Sequence, residues 1–154
     1  MKRILVTGGA GFIGSNFIHF LLAAEPDVFV INLDALTYAG SPENLKNLPD
    51  PERHVFIHGD INDRPLLDQL FRQYEIETVV HFAAESHVDR SILDPGIFVR
   101  TNVIGTFTLL EAARQAWLED RIVPLAAARF HHVSTDEVFG TLKAGDAPFS
   151  ESTA

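Results

Sequence analysis

The 154-residue chain has no cysteine, which excludes disulfides and thiolate metal sites and suits a reducing compartment such as the cytoplasm. Positive charge is scarce: 12 Lys and Arg stand against 21 Asp and Glu, leaving a net charge of −9. Nucleic acid and anionic membrane surfaces are thereby disfavoured as partners, because their phosphates would be repelled. No apolar run is long enough to span a bilayer. "MKRILV" has the opening of a secretory signal, but Thr7-Gly8-Gly9 breaks the apolar stretch too early. There is no internal repeat, low-complexity tract or interdomain linker. What is present, a 46% apolar composition, suits one domain with a real core.

Glycine is crowded where it is least expected. "VTGGAGFIGS", residues 6–15, puts four glycines directly behind an apolar run. The glycines at 9, 11 and 14 fit G-x-G-x-x-G, and those at 8, 11 and 14 fit G-x-x-G-x-x-G. The spacing also approaches a P-loop, but Ser15 follows Gly14 directly and the lysine that reaches terminal phosphates is missing. "RILVT" before the glycines reads as a buried strand, and "FIGSNFIHFLLAA" after them reads as a helix. A strand, a glycine turn and a helix form the dinucleotide-binding arrangement. The pyrophosphate then meets free N–H groups at the helix N-terminus, and Gly14 lets helix and strand pack closely. The plain alternative is a flexible loop with no ligand.

The remaining pattern alternates strand and helix. Residues 28–33, 54–58, 77–82 and 129–134 read as strands. Residues 64–74 read as a helix capped by Asp63, and 95–118 as a long helix beginning after Asp94. A short helix is expected at 42–47. This βαβαβ alternation predicts an α/β fold, a Rossmann-like doubly wound parallel sheet in the order 3-2-1-4-5.

Ligands of such sheets bind outside the carboxyl ends of the strands. Asp34 ends the second strand about 20 residues beyond the fingerprint, where an acidic side chain accepts hydrogen bonds from the adenosine ribose. A carboxylate there would repel a 2′-phosphate, so the sequence favours NAD over NADP. The plain alternative for Asp34 is a helix cap or turn residue. Asp60 and Ile61 follow the third strand, and the small Ala83 and Ala84 follow the fourth.

Two further stretches, "HFAAESHVDRSI" (81–92) and "HHVSTDEVFG" (131–140), narrow the family. Together with "TGGAGFIGS" (7–15) and "LDALTYAG" (33–40), they resemble the dTDP-glucose 4,6-dehydratases of the extended short-chain dehydrogenase/reductase family. The resemblance covers essentially the whole chain. Its most discriminating feature is Asp136-Glu137 behind Ser134-Thr135; related epimerases and decarboxylases share the glycine loop but usually lack that acidic pair. The resemblance implies NAD contacts at Gly8, Gly11, Phe12, Ile13 and Gly14, at Asp34, Ala35, Leu36 and Thr37, and at Asp60 and Ile61. It adds Phe82, Ala83, Ala84, Glu85, Ser86 and Thr101. Ser86 and Thr135 would also touch a nucleotide-sugar substrate, dTDP-glucose, and Thr135 would be catalytic, serving in the oxidation at C4. Phe139 stands where the family often has tyrosine, another flat aromatic.

The resemblance also implies the chemistry. Oxidation of the sugar at C4 makes the C5 proton acidic; Glu137 would take that proton, and Asp136 would protonate the departing C6 hydroxyl. An acid and a base of differing pKa are what elimination requires. Without the surrounding motif the pair reads as two solvated acids ending a strand. Rival constellations are poorer. His131 and His132 point to opposite faces of a strand and cannot share a metal. His54 and His58 read as satisfied structural histidines, and Ser86, His87 and Asp89 lie too close in sequence to converge as a triad. Trp117 and Phe107 fit a helix packing face. No metal is expected.

One part of the family pattern is lacking. The oxidation base is a tyrosine four residues before a lysine, but Tyr38 is followed by Pro42 and Tyr74 by Thr78. The expectation is therefore an NAD-binding domain over residues 1–154, incomplete, lacking the sugar-nucleotide part and inactive alone. The full-length enzyme is expected to be a cytoplasmic homodimer. Two other readings stand beside it: a non-catalytic NAD-binding module, and a related sugar-nucleotide epimerase or reductase.

Overall fold

A computed structural model describes residues 1–153. Five strands, β1 (Lys2–Thr7), β2 (Val28–Asp34), β3 (His54–His58), β4 (Thr78–His81) and β5 (Arg129–His132), form one sheet. All pairings are parallel, and the order is β3-β2-β1-β4-β5, as the alternation predicts. β4 and β5 are shorter than the apolar patterns suggest. β1 stops at the glycine turn, so β4 loses its partner after the Thr7–His81 pair, and β5 ends level with it at His132.

The helices are α1 (Phe12–Ala24), α2 (Arg64–Tyr74), α3 (Val88–Leu93), α4 (Pro95–Phe98) and α5 (Thr106–Arg114). Wider π turns at Val99–Gly105 and Gln115–Glu119 extend α4 and α5, so residues 95–119 are helical throughout. The Asp63 carboxylate caps α2 by accepting from Leu66 N–H at 3.1 Å, and proline stands in the first turn, where its missing N–H costs nothing. The expected helix after Ser41 is a single 3-10 turn, Pro42–Leu45. α3 was not anticipated from the sequence; it begins within the 81–92 stretch and ends one residue past it.

Alternation along β1 feeds two cores. Leu5 packs on one side with Ile31, Leu33, Leu67, Phe71, Leu109 and Trp117. Ile4 and Val6 pack on the other with Ile18, Leu22, Val28, Val30 and Val80. Each such fully buried side chain contributes about 1.5–3 kcal/mol through removal from water. Trp117 closes its polar account by donating to the Ile76 carbonyl at 2.7 Å. Phe107 does not join it. Two residues from the fully buried Leu109, it is turned roughly 200° around the helix and lies exposed. The sheet thus brings five strand ends to one edge, with α1 rising from the glycine turn beside them.

Candidate active site

The glycine turn is tight because the chain doubles back against two neighbours. Gly8 has φ of +71°, and a Cβ there would stand 2.7 Å from Ala83 N. At Gly14 a Cβ would collide with the Gly8 carbonyl oxygen and stand 2.8 Å from the Gly9 Cα. α1 opens at Gly11 with no side-chain cap and no acidic residue in its first turn. Its first N–H groups therefore face the cleft with the positive end of the helix dipole behind them, an anion-binding geometry. Phe12 and Ile13 are exposed beside it.

Asp34 is buried and ties this turn to the loop after β2. One carboxylate oxygen accepts from Ala10 N–H and the other from Leu36 N–H, both at 2.8 Å. The turn-residue reading and the ligand reading therefore coexist: each oxygen keeps a further lone pair for a ribose hydroxyl. Leu36 takes a left-handed φ of +51° beyond it, and Thr37 O accepts from Gly40 N–H at 3.2 Å. The turn and loop meet again where Ser41 N–H donates to Ala10 O at 3.0 Å. After β3, exposed Asp60 accepts from both the backbone and side-chain nitrogens of Asn62, at 2.8 and 2.9 Å. Ile61 points into the core instead, packed against Gly105.

The stretch after β4 is more ordered than the sequence suggests. Phe82 packs on Phe17, with ring centroids 5.3 Å apart. The Asn102 carboxamide holds Glu85 at both ends, accepting from its N–H and donating to its carbonyl, each at 2.8 Å. The Glu85 side chain is buried and faces Arg90, 3.9 Å away, with neither Oε2 nor Nε hydrogen-bonded among the described residues. The Arg90 guanidinium lies 4.1 Å over the ring of Tyr38. Ala84 and Ser86 are exposed, and Thr101 is half-buried. Sequence reasoning missed Asn102, Arg90 and Tyr38; nothing in their spacing announces these contacts, and the one between Arg90 and Tyr38 depends on α3.

It also missed His81. This ring is buried, with Nδ1 2.6 Å from Thr7 Oγ1 and Nε2 2.9 Å from Thr106 Oγ1. Burial pushes its pKa down to about 4, assisted by the neighbouring His132 charge. At neutral pH the imidazole is uncharged, donating through one nitrogen and accepting through the other.

Beyond β5, Thr135 caps a 3-10 turn, Asp136–Phe139, accepting from Glu137 N–H at 3.3 Å. Its hydroxyl also lies 3.4 Å from Asp136 Oδ1. Thr135, Asp136 and Glu137 are exposed at the same sheet edge as the glycine turn. No hydrogen bond links Ser86 to Thr135 among the described residues. The arrangement therefore offers an uncapped helix end, a buried carboxylate and, beyond β5, two exposed carboxyls beside a hydroxyl.

Comparison with known proteins agrees with this architecture. A family model described as GDP-mannose 4,6 dehydratase matches residues 5–154. A dTDP-glucose 4,6-dehydratase of Neisseria gonorrhoeae is 52% identical over 152 residues, 99% of this chain and 44% of that protein. The crystal structure of a dTDP-glucose 4,6-dehydratase from Streptomyces venezuelae, with NAD bound, superposes with a TM-score of 0.84 at 49% identity, covering 99% of this chain and 45% of that one. A UDP-glucose 4-epimerase from Brucella ovis in complex with NAD gives a TM-score of 0.77 at 30% identity, over 100% of this chain and 41% of that one. The chain thus spans less than half the length of these relatives. With its glycine turn, parallel sheet and matched span, the chain belongs to the GDP-mannose 4,6 dehydratase family.

Proposed function

We propose that this chain is the NAD-binding part of a nucleotide-sugar 4,6-dehydratase acting on dTDP-glucose, a hydro-lyase. The observation that carries the reading is the Thr135-Asp136-Glu137 turn, standing beyond β5 at the sheet edge that also bears the glycine turn. An epimerase or reductase needs no acid/base pair there. The Neisseria and Streptomyces relatives support the same substrate class.

The residues present fit a bound dinucleotide. The uncapped α1 N-terminus would hold the pyrophosphate, Gly8 and Gly14 leave room for it, and Asp34 would accept from the adenosine ribose. Gly11, Phe12 and Ile13 line the turn; Ala35 to Thr37, Asp60, Ile61, Phe82 to Ser86 and Thr101 complete the proposed cleft. When bound, NAD supplies the hydride acceptor that makes sugar C4 a ketone and the donor that later reduces C6. Glu137 removes the C5 proton, and Asp136 passes a proton to the departing C6 hydroxyl. Thr135, capping the turn and adjoining Asp136, holds the pair in place and contacts the sugar with Ser86. A carboxylic acid and a carboxylate side by side need different surroundings for these roles, which bound substrate would supply.

The reading concerns the longer protein that the relatives represent, which we place in the cytoplasm as a homodimer. Residues 1–154 form its NAD-binding domain. The chain itself has no Tyr-x-x-x-Lys. The test is a chimera in which this chain replaces the matched segment of the Neisseria gonorrhoeae enzyme. Release of the 4-keto-6-deoxy sugar nucleotide from dTDP-glucose is the expected result. A folded chimera that binds NAD yet only inverts C4, or does nothing, would favour the epimerase or the non-catalytic reading.

A further inference from the structure

We infer that Arg90 is a positioning residue for the adenosine side of the cleft, acting through Tyr38. The inference rests on the dinucleotide reading above. Tyr38 belongs to the loop after β2, and Arg90 to α3, the short helix after β4. β2 and β4 flank β1 on opposite sides, so the two residues stand on the two walls of the crevice above the glycine turn. Their contact, guanidinium over phenol at 4.1 Å, ties one wall to the other.

Each wall is anchored behind that contact. On the β2 side, Ser41 and Asn44 both hydrogen-bond the Ala10 carbonyl, at 3.0 and 2.8 Å, and Asp34 grips Ala10 and Leu36. On the β4 side, Asn102 fixes the Glu85 backbone, and the buried Glu85 carboxylate faces Arg90 at 3.9 Å. That separation is too long for a hydrogen bond but short enough for attraction through a poorly hydrated space. Glu85 thus orients the charge, and the aromatic face of Tyr38 receives it. The loop 35–40 that would surround the adenosine is largely exposed, and among the described residues Tyr38, which also meets the His87 ring edge-on at 6.3 Å, is its aromatic link to the β4 wall. Without that link, the loop gains freedom that a bound adenosine must remove, which lowers affinity without touching the ligand.

The test is a double-mutant cycle read by calorimetric titration of NAD, AMP and nicotinamide mononucleotide into the protein. Arg90→Gln removes the charge but leaves an amide for Glu85, and Tyr38→Leu removes the ring from an exposed position. Each should weaken NAD and AMP by roughly three- to tenfold, the range of a cation–π contact. The double variant should be no worse than the weaker single, Tyr38→Phe should keep the parent affinity, and nicotinamide mononucleotide should be indifferent to all four. Additive losses, or unchanged AMP affinity in Tyr38→Leu, would overturn the inference. If Arg90→Gln does not fold, Tyr38→Leu and Tyr38→Phe decide: equal AMP affinity in the two overturns it, and a loss confined to leucine supports it. A parent protein that binds neither NAD nor AMP would instead refute the dinucleotide reading itself.

Discussion

His81 Nδ1 lies 2.6 Å from Thr7 Oγ1, in a contact that locks β4 to the last residue of β1 just before the glycine turn. The other ring nitrogen reaches Thr106 on α5, so a single imidazole joins two strands and a helix beneath the cleft.

A pH dependence follows from that burial. The folded pKa of His81 is pushed down to about 4 from 6.5, first by desolvation and then by His132. Between those values the unfolded chain holds a proton that the folded chain does not. Stability is therefore full above about pH 6.5 and lost as pH falls toward 4, by roughly 3 kcal/mol for this group. His54, lowered by burial and by His19, adds in the same direction. Thermal unfolding should show the midpoint dropping from pH 6.5 to 5, with a shallower drop in His81→Gln. An identical slope in the variant would assign the window to other groups.

The glycines separate folding from binding. Gly8→Ala forces a left-handed residue, at about 1–2 kcal/mol, and drives its Cβ against the Ala83 backbone. It should lower the melting temperature markedly. At Gly11 φ is −76° and the nearest atom to a Cβ is the Gly8 carbonyl oxygen, 3.3 Å away. Gly11→Ala should therefore melt close to the parent while binding NAD more weakly, because its methyl occupies the approach to the helix end. Equal stability in the two variants would contradict the turn geometry.

Asp34 carries both a structural and a selective role, and the two can be measured apart. Asp34→Ala leaves two backbone N–H groups without their carboxylate, a cost of about 1–3 kcal/mol where they are shielded from water. It also removes the charge that would repel a 2′-phosphate. Titration should show NAD bound more tightly than NADP by the parent and a narrower gap in the variant, alongside a lower melting temperature. Equal affinity of the parent for both cofactors would remove Asp34 from the selectivity account.

Most of the frame was legible in the sequence because its signals are local. The continuous apolar run of β1, the Asp63 cap before Pro65 and the strand–glycine–helix order each fix an element from neighbouring residues. Strand order followed from the alternation. What was not legible depends on distant partners. α3 lacks a side-chain cap and a buried residue, so nothing in its six residues marks it. The ends of β4 and β5 are set by where β1 turns away, and Phe107 reads as a packing residue until the helix phase is fixed by Leu109. The His81, Asn102 and Arg90 contacts join residues 17 to 74 positions apart, or rest on α3.

The carboxyl pair gives the sharpest test of the chemistry, and the chimera with the Neisseria gonorrhoeae enzyme is the place to make it. Asp136→Asn cannot release a proton to the leaving hydroxyl, and Glu137→Gln cannot accept one from C5. Loss of a positioned acid or base costs about 10²–10⁴-fold in rate, so both variants should release little 4-keto-6-deoxy product. They should differ in exchange of the C5 proton with deuterated solvent. Exchange should nearly vanish in Glu137→Gln, whereas in Asp136→Asn it should persist, since the enolate can form while the hydroxyl stays in place. Both side chains are exposed, and the turn that bears them is capped by Thr135, so neither substitution removes a buried contact. The melting temperature should therefore stay within a degree or two of the parent, consistent with the small effect of surface substitutions. Normal turnover in both variants would reduce the pair to solvated acids at the end of β5 and remove Asp136 and Glu137 from the elimination step.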